Sequence, residues 1–243
     1  MYGTRDVQSI TSEEILSFLT EISDEKTQNT KRNRYATLSA FFNFINNTVI
    51  PELENPCNAK IVKKVFRRPK PIQCNIYEKD VIDEVIFRTT NLRNRLMLEL
   101  MARGGMRVSE VLKLTPADVA DRKLYLKNPK SGRKGEVVFI PQKLSIRLQE
   151  FIKEEDIDQN ERIFAISYMT ARSVVREAGR LVGILLRPHD LRRHAATYAS
   201  RSGTPIEIVS KIILRHANLA TTQQYLGKVS ETEAMRWIEN LHG

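Results

Sequence analysis

Apolar side chains recur at helical spacing along most of this chain, and only two short runs replace that spacing with strand-like alternation. A chain patterned this way is expected to fold as mainly α with a small antiparallel β-sheet or hairpin. In TSEEILSFLTEI (11–22), Thr11 and Glu14 have capping-box spacing, and Ile15, Leu16, Leu19 and Ile22 follow at helical intervals. A second helix is expected over 28–46, basic at its start (Lys31, Arg32, Arg34) and apolar later (Tyr35, Leu38, Phe41, Phe42, Phe44, Ile45), ending before Pro51 and Pro56. Beyond residue 78, helices are expected over 80–87, 94–103, 108–114, 142–153, 169–181 and 190–201, with three shorter helical pieces at the end. KLYLKN (123–128) and EVVFIP (136–141) are the strand-like runs, and the glycine-containing PKSGRKG between them makes a hairpin with a basic tip.

AKIVKKVFRRPKPI (59–72) holds six basic residues and no acidic one, and Pro69 and Pro71 keep it from continuing as helix. It reads as a cationic strap between two helical regions, or more simply as a solvated loop. The expected organisation is a helical domain over 1–65, a basic linker over 66–76 and a second domain over 77–243.

Charge now matters. Thirty-nine Lys and Arg face 29 Asp and Glu, a formal net charge of +10 that attracts polyanions, nucleic acid first among them. Cys57 and Cys74 form no C-x-x-C pair, so neither a zinc site nor a disulfide framework is expected. Met1 to Ile10 is polar and charged, which argues against a signal peptide, and no apolar run approaches the ~18 residues of a membrane span. A reducing, cytoplasmic setting is the expectation.

Several residues could carry chemistry, and each also has a plainer reading. Arg107, just after Gly104-Gly105, could clamp a phosphate with its guanidinium fork, or simply pair with Glu110 one helical turn on. Lys130 at the hairpin tip could deliver a proton or be ordinary turn decoration. His189 and Arg192 lie three apart behind Pro188, a helix start that favours anions, although a satisfied surface histidine would look the same. His216 and Tyr225 flank a short helix, where a tyrosine is commonly half-buried packing.

In combination these residues are more specific. GGMRVSEVLKL (104–114), HDLRRHAATYA (189–199) and LRHANLATTQQY (214–225) resemble, in order and spacing, the catalytic boxes of the tyrosine recombinase, or phage integrase, family. The likeness runs from about residue 76 to the end, and the helical region before it more weakly resembles that family's core-binding domain. The resemblance implies a two-domain clamp on double-stranded DNA with Tyr225 as the nucleophile, forming a 3′-phosphotyrosyl link without ATP. Arg107 and Arg192 would stabilise the charge on phosphorus, Lys130 would protonate the leaving oxygen, and His189 would act as general base. His216 would donate to a nonbridging oxygen, and Glu110 would orient Arg107. Lys31, Arg32, Arg34, Lys63, Lys64, Arg67, Arg68, Arg133, Lys134 and Arg193 would contact the DNA. No cofactor or metal ion is implied.

The family also implies a homotetramer on two DNA sites, monomeric or dimeric when free. With no room for an arm-binding domain before residue 11, a Xer-like or short integrase is expected, leaving chromosome segregation and phage or plasmid integration open. A type IB topoisomerase and a catalytically silent DNA-binding protein are the alternatives. One position departs from the pattern: Arg215 stands where the family often has glycine, and its side chain could crowd the phosphate or touch it. After Ser230, the positions Ala234, Trp237, Ile238 and Leu241 form an apolar stripe, expected to dock on a neighbouring protomer or fold back on its own domain.

Overall fold

The computed structural model describes residues 6–69, 75–127, 135–226, 234–235 and 237–239. The chain divides into two compact units, Met1–Ile72 and Gln73–Gly243.

The first unit is helical. Helix α1 (Ser12–Ile22) opens with the expected capping box: Thr11 Oγ1 accepts from Glu14 N at 3.3 Å, and Glu14 Oε2 accepts from Thr11 N at 3.0 Å. Helix α2 (Gln28–Thr48) buries Tyr35 and Phe42 but leaves Phe41 and Phe44 exposed, because its apolar residues cover more of its circumference than one core face can take. The structure corrects the reading of 59–72 as a strap. Lys60–Val65 forms helix α3, and Val62 and Phe66, one turn apart, are fully buried with Ile15, Leu19 and Cys57. Tyr35 stacks on Phe66 at 6.0 Å, and its hydroxyl donates to the Cys57 carbonyl. Phe66, placed by sequence at the start of the linker, therefore closes this core, and Lys63, Lys64, Arg67 and Arg68 stay on the surface. Cys57 is buried in the same core, and burial pushes its thiol up to about 11. Cys74 lies outside the described residues.

In the second unit, α4 (Lys79–Arg88) and α5 (Leu92–Arg103) are followed by the short α6 (Val108–Val111). Helix α5 buries every residue from Leu96 to Ala102, as an apolar run with no polar face must. Glu99 sits inside that run only 1% exposed; the Arg147 guanidinium grips both its oxygens, and Arg95 lies 3.6 Å away. Strands β1 (Val119–Ala120), β2 (Lys123–Tyr125) and β3 (Val137–Phe139) make an antiparallel sheet in that order. In the β2–β3 register Leu124 faces Val138, both buried, while Lys123, Tyr125 and Phe139 point outward. The expected hairpin is thus present within a small three-stranded sheet, as anticipated; its tip, including Lys130, Arg133 and Lys134, lies outside the described residues. Helices α7 (Gln142–Glu154), α8 (Tyr168–Arg180) and α9 (Pro188–Arg201) follow. The chain then runs through α10 (Ile206–Ile208) into a π-helical turn, Val209–Ile213, and ends its continuous description in α11 (Leu219–Leu226). Of the tail, 234–235 and 237–239 are helical; Ser230 and Leu241 lie outside the described residues. The Trp237 ring rests on its own unit, close enough that a Cβ at Gly203 would meet it at 2.9 Å, while Met235 and Ile238 are exposed.

Candidate active site

The turn after α5 begins the site. Gly105 has φ +60°, and a Cβ there would lie 2.8 Å from the Ile213 carbonyl oxygen, so only glycine lets this turn close on the π-turn. Arg107 then caps α6. Its N–H donates to Glu110 Oε2 at 2.8 Å and its Nη1 to Glu110 Oε1 at 2.5 Å. The Arg107–Glu110 pair anticipated from the spacing does form, but the carboxylate is buried, its side chain 6% exposed, so the pair is no surface decoration. Burial alone would raise the Glu110 carboxyl; Arg215, and then Arg107, outweigh it and hold the group below the ordinary carboxylate range.

Helix α9 supplies the second arginine. Pro188 is its first residue, and Asp190 accepts from the Arg187 N–H at 2.9 Å, fixing the helix start. Arg192, only 1% exposed, donates from Nη1 to the Gly105 carbonyl and from Nη2 to the Leu214 carbonyl, so its guanidinium is tied to both neighbouring segments. His189 precedes it on the same face. That residue stays exposed overall, but partial burial of the ring, with Arg192, Arg193 and Arg107 nearby, pushes its pKa down. Arg193 pairs with Asp190 at 3.1 Å. The other histidine of this box, His194, is buried; its Nδ1 lies 3.1 Å from the Tyr77 carbonyl and its ring stacks on Tyr198, which makes it structural.

His216 lies just past the π-turn. Its backbone N–H donates to the Ser210 carbonyl, and its Nδ1 is 3.0 Å from Thr222 Oγ1, which itself donates to Ser210 Oγ at 2.8 Å. With its hydrogen committed to Ser210, the Thr222 oxygen accepts from Nδ1–H, which fixes the orientation of the ring. Partial burial, then Arg192, Arg107 and Arg215, push His216 down to about 4. Tyr225 is placed by its backbone in the last turn of α11, which packs on α9 and on the π-turn; its side chain is outside the described part of the structure.

Arg107, Glu110, His189, Arg192 and His216, from three separated stretches, thus share one electrostatic neighbourhood. Two contributors were not anticipated as such. Thr222 sits six residues from His216 across a turn, a spacing with no periodic signature. Arg215 was expected at the phosphate, yet its guanidinium turns inward onto Glu110 at 2.7 Å. Lys31, Arg32 and Arg34 lie on α2 of the first unit, where Arg32 sits 4.7 Å above the Tyr35 ring. Among the described residues no group of three or more His, Cys, Asp or Glu could hold a metal ion, and no helix is long and apolar enough to cross a membrane.

Residues 77–231 match the model of the phage integrase family. The chain belongs to that family. It is a tyrosine recombinase, the enzyme class to which its three boxes point. It is 28% identical over 234 residues to a tyrosine recombinase of Pseudothermotoga lettingae, covering 93% of this chain and 80% of that protein. To tyrosine recombinase XerA of Pyrococcus furiosus it is 30% identical over 223 residues, 85% of this chain and 74% of that one. Solved structures share the fold: a XerA recombinase (TM-score 0.61, 19% identity, 100% of this chain and 87% of that one) and a lambda integrase dimer bound to a COC′ core site (0.69, 18%, 93% and 82%).

Proposed function

We propose that this recombinase cuts and rejoins duplex DNA at specific sites through a 3′-phosphotyrosyl intermediate on Tyr225. The observation that supports the reading is that Arg107 and Arg192 act electrostatically on both His189 and His216, and that α11, which bears Tyr225, packs on α9. A phosphodiester held there meets two guanidinium groups whose directions are fixed, one by Glu110 and one by the Gly105 and Leu214 carbonyls. Preorganised cations of this kind lower the barrier because the nonbridging oxygens gain charge as the phosphorus becomes pentacoordinate.

In the proposed reaction the Tyr225 oxygen attacks phosphorus, the bond to the 5′-oxygen breaks, and the phosphate ends as a 3′ ester of tyrosine. The phenolic proton passes to His189, whose depressed pKa keeps it neutral and able to accept near neutral pH. Lys130 gives a proton to the departing 5′-oxygen. The phosphate's negative charge favours a proton on His216 Nε2, which then donates to a nonbridging oxygen. The reverse attack by a 5′-hydroxyl from the partner duplex rejoins the strand, conserving the bond energy in the ester. Four protomers on two sites, with the basic first unit contacting the backbone, complete the proposed synapse.

The test is covalent capture. A pool of nicked suicide duplexes with randomised arms is offered to the protein, and DNA in SDS-resistant adducts is sequenced to define a substrate. Tyr225→Phe should abolish the adduct while leaving binding to that substrate nearly unchanged. An adduct of undiminished yield in the Phe variant would show that another residue is the nucleophile.

A further inference from the structure

We propose that Arg215 is a positioning residue that sets the Arg107 guanidinium for the phosphate by clamping Glu110 from behind. The inference rests on the function proposed above and assigns Arg215 a part in it other than DNA contact.

Arg215 has φ +51°, a left-handed backbone that glycine adopts freely and residues with a Cβ adopt at a cost. Something must hold an arginine there, and its guanidinium shows what. Nη1 donates to the Ile213 carbonyl at 2.8 Å, and Nη2 donates to Glu110 Oε2 at 2.7 Å and to the Gly105 carbonyl at 3.3 Å. Nε lies 3.7 Å from Glu136 Oε2, on the residue just before β3. The side chain is 3% exposed, and both of its Nη groups are turned onto partners inside the protein. It therefore spans the α5–α6 turn, the base of the hairpin and the π-turn that leads to His216.

Glu110 is the link to the site. Its oxygens are shared between Arg107 and Arg215, and a buried carboxylate with one guanidinium in place of two is a poorer anchor. The Gly105 carbonyl is shared likewise between Arg192 and Arg215, so losing Arg215 loosens the supports of both site arginines. The charged groups around the link are Arg107 and Arg215 on Glu110, and Glu136 on Arg215. Removing Arg215 takes away the largest influence that lowers the Glu110 pKa, so Glu110 should take up a proton at a higher pH and release Arg107.

The unaltered protein, Arg215→Gly, Glu110→Gln and the double variant are compared on the one duplex captured as above. Glycine suits the left-handed backbone and offsets part of the cost of leaving Glu110 with one guanidinium, so Arg215→Gly should fold but melt below the unaltered protein. Its single-turnover cleavage should fall by about 10–100-fold, the range seen when an outer partner of a metal-site ligand is removed. Duplex binding should be unchanged, and the acid limb of the cleavage–pH profile should move to higher pH. In the double variant the shift should be absent, leaving the acid limb that His189 sets as general base, and cleavage should be no slower than in Glu110→Gln alone. Should Arg215→Gly prove unstable, Arg215→Lys serves, because one ammonium cannot bridge Glu110, Ile213 and Gly105, and the same loss is expected. Unchanged cleavage in the variant that folds, losses that multiply in the double variant, or a shifted limb that survives Glu110→Gln would each overturn the inference. The last would assign the limb to His216, which Arg215 also influences. Failure of the unaltered protein to capture any duplex would instead remove the proposed function, and this inference with it.

Discussion

Gly105→Ala tests the joint on which the site is assembled. Alanine at φ +60° carries the left-handed penalty of about 1–2 kcal/mol. Its Cβ would also sit 2.8 Å from both the carbonyl oxygen and the Cγ2 of Ile213, so the α5–α6 turn must shift away from the π-turn. Overpacking of this kind costs about 1–3 kcal/mol, and the two effects together come to about 3 kcal/mol. That is roughly a hundredfold in the folded-to-unfolded ratio. At about 2–4 °C per kcal/mol for a domain of this size, the melting midpoint should fall by ~6–12 °C. Gly183→Ala is the internal control, since Gly183 has φ +74° but nothing within 4 Å of an added Cβ, and should lose only the backbone part. Calorimetry of both variants measures the difference. Cleavage by Gly105→Ala should also be impaired below its melting point, because the Gly105 carbonyl that orients Arg192 moves with the turn. A Gly105→Ala midpoint no lower than that of Gly183→Ala would refute the argument that close approach to Ile213 fixes this residue.

Two further outcomes are expected. Lys130→Ala should cleave slowly on ordinary DNA but recover on a 5′-bridging phosphorothiolate, whose thiolate departs without a proton; equal defects on both substrates would remove Lys130 from the general-acid role. His216 titrates near 4 in the folded protein against an ordinary 6.5, so between those values the unfolded chain binds the extra proton. Its contribution to stability is present above that window and lost as pH falls through it. Urea unfolding at the two ends of the window should therefore show a smaller loss for His216→Gln than for the unaltered protein, and equal losses would contradict the assignment.

The Thr11–Glu14 cap, the buried face of α5, the alternation of Leu124 and Val138, and Pro188 at the start of α9 were all legible in the sequence. Each is decided within a few residues of chain, by a cap or by the 3.6- and 2-residue periods, and needs no knowledge of what packs against it. The order of the three boxes was likewise written linearly, which is why the residues Arg107, His189, Arg192 and His216 could be named before any distance was known. The segment 59–72 failed this kind of reading because its charges and prolines are local, whereas Val62 and Phe66 are drawn into a helix by a core that α1 and α2 supply. Arg215 failed for the same reason. Its sequence neighbours say only that a cation precedes His216; whether that cation faces outward to a phosphate or inward depends on Glu110, 105 residues earlier, and on the Gly105 carbonyl, 110 residues earlier. Direction is set by the partners that burial brings within hydrogen-bond distance, and those partners exist only once α5, the hairpin and the π-turn have packed together.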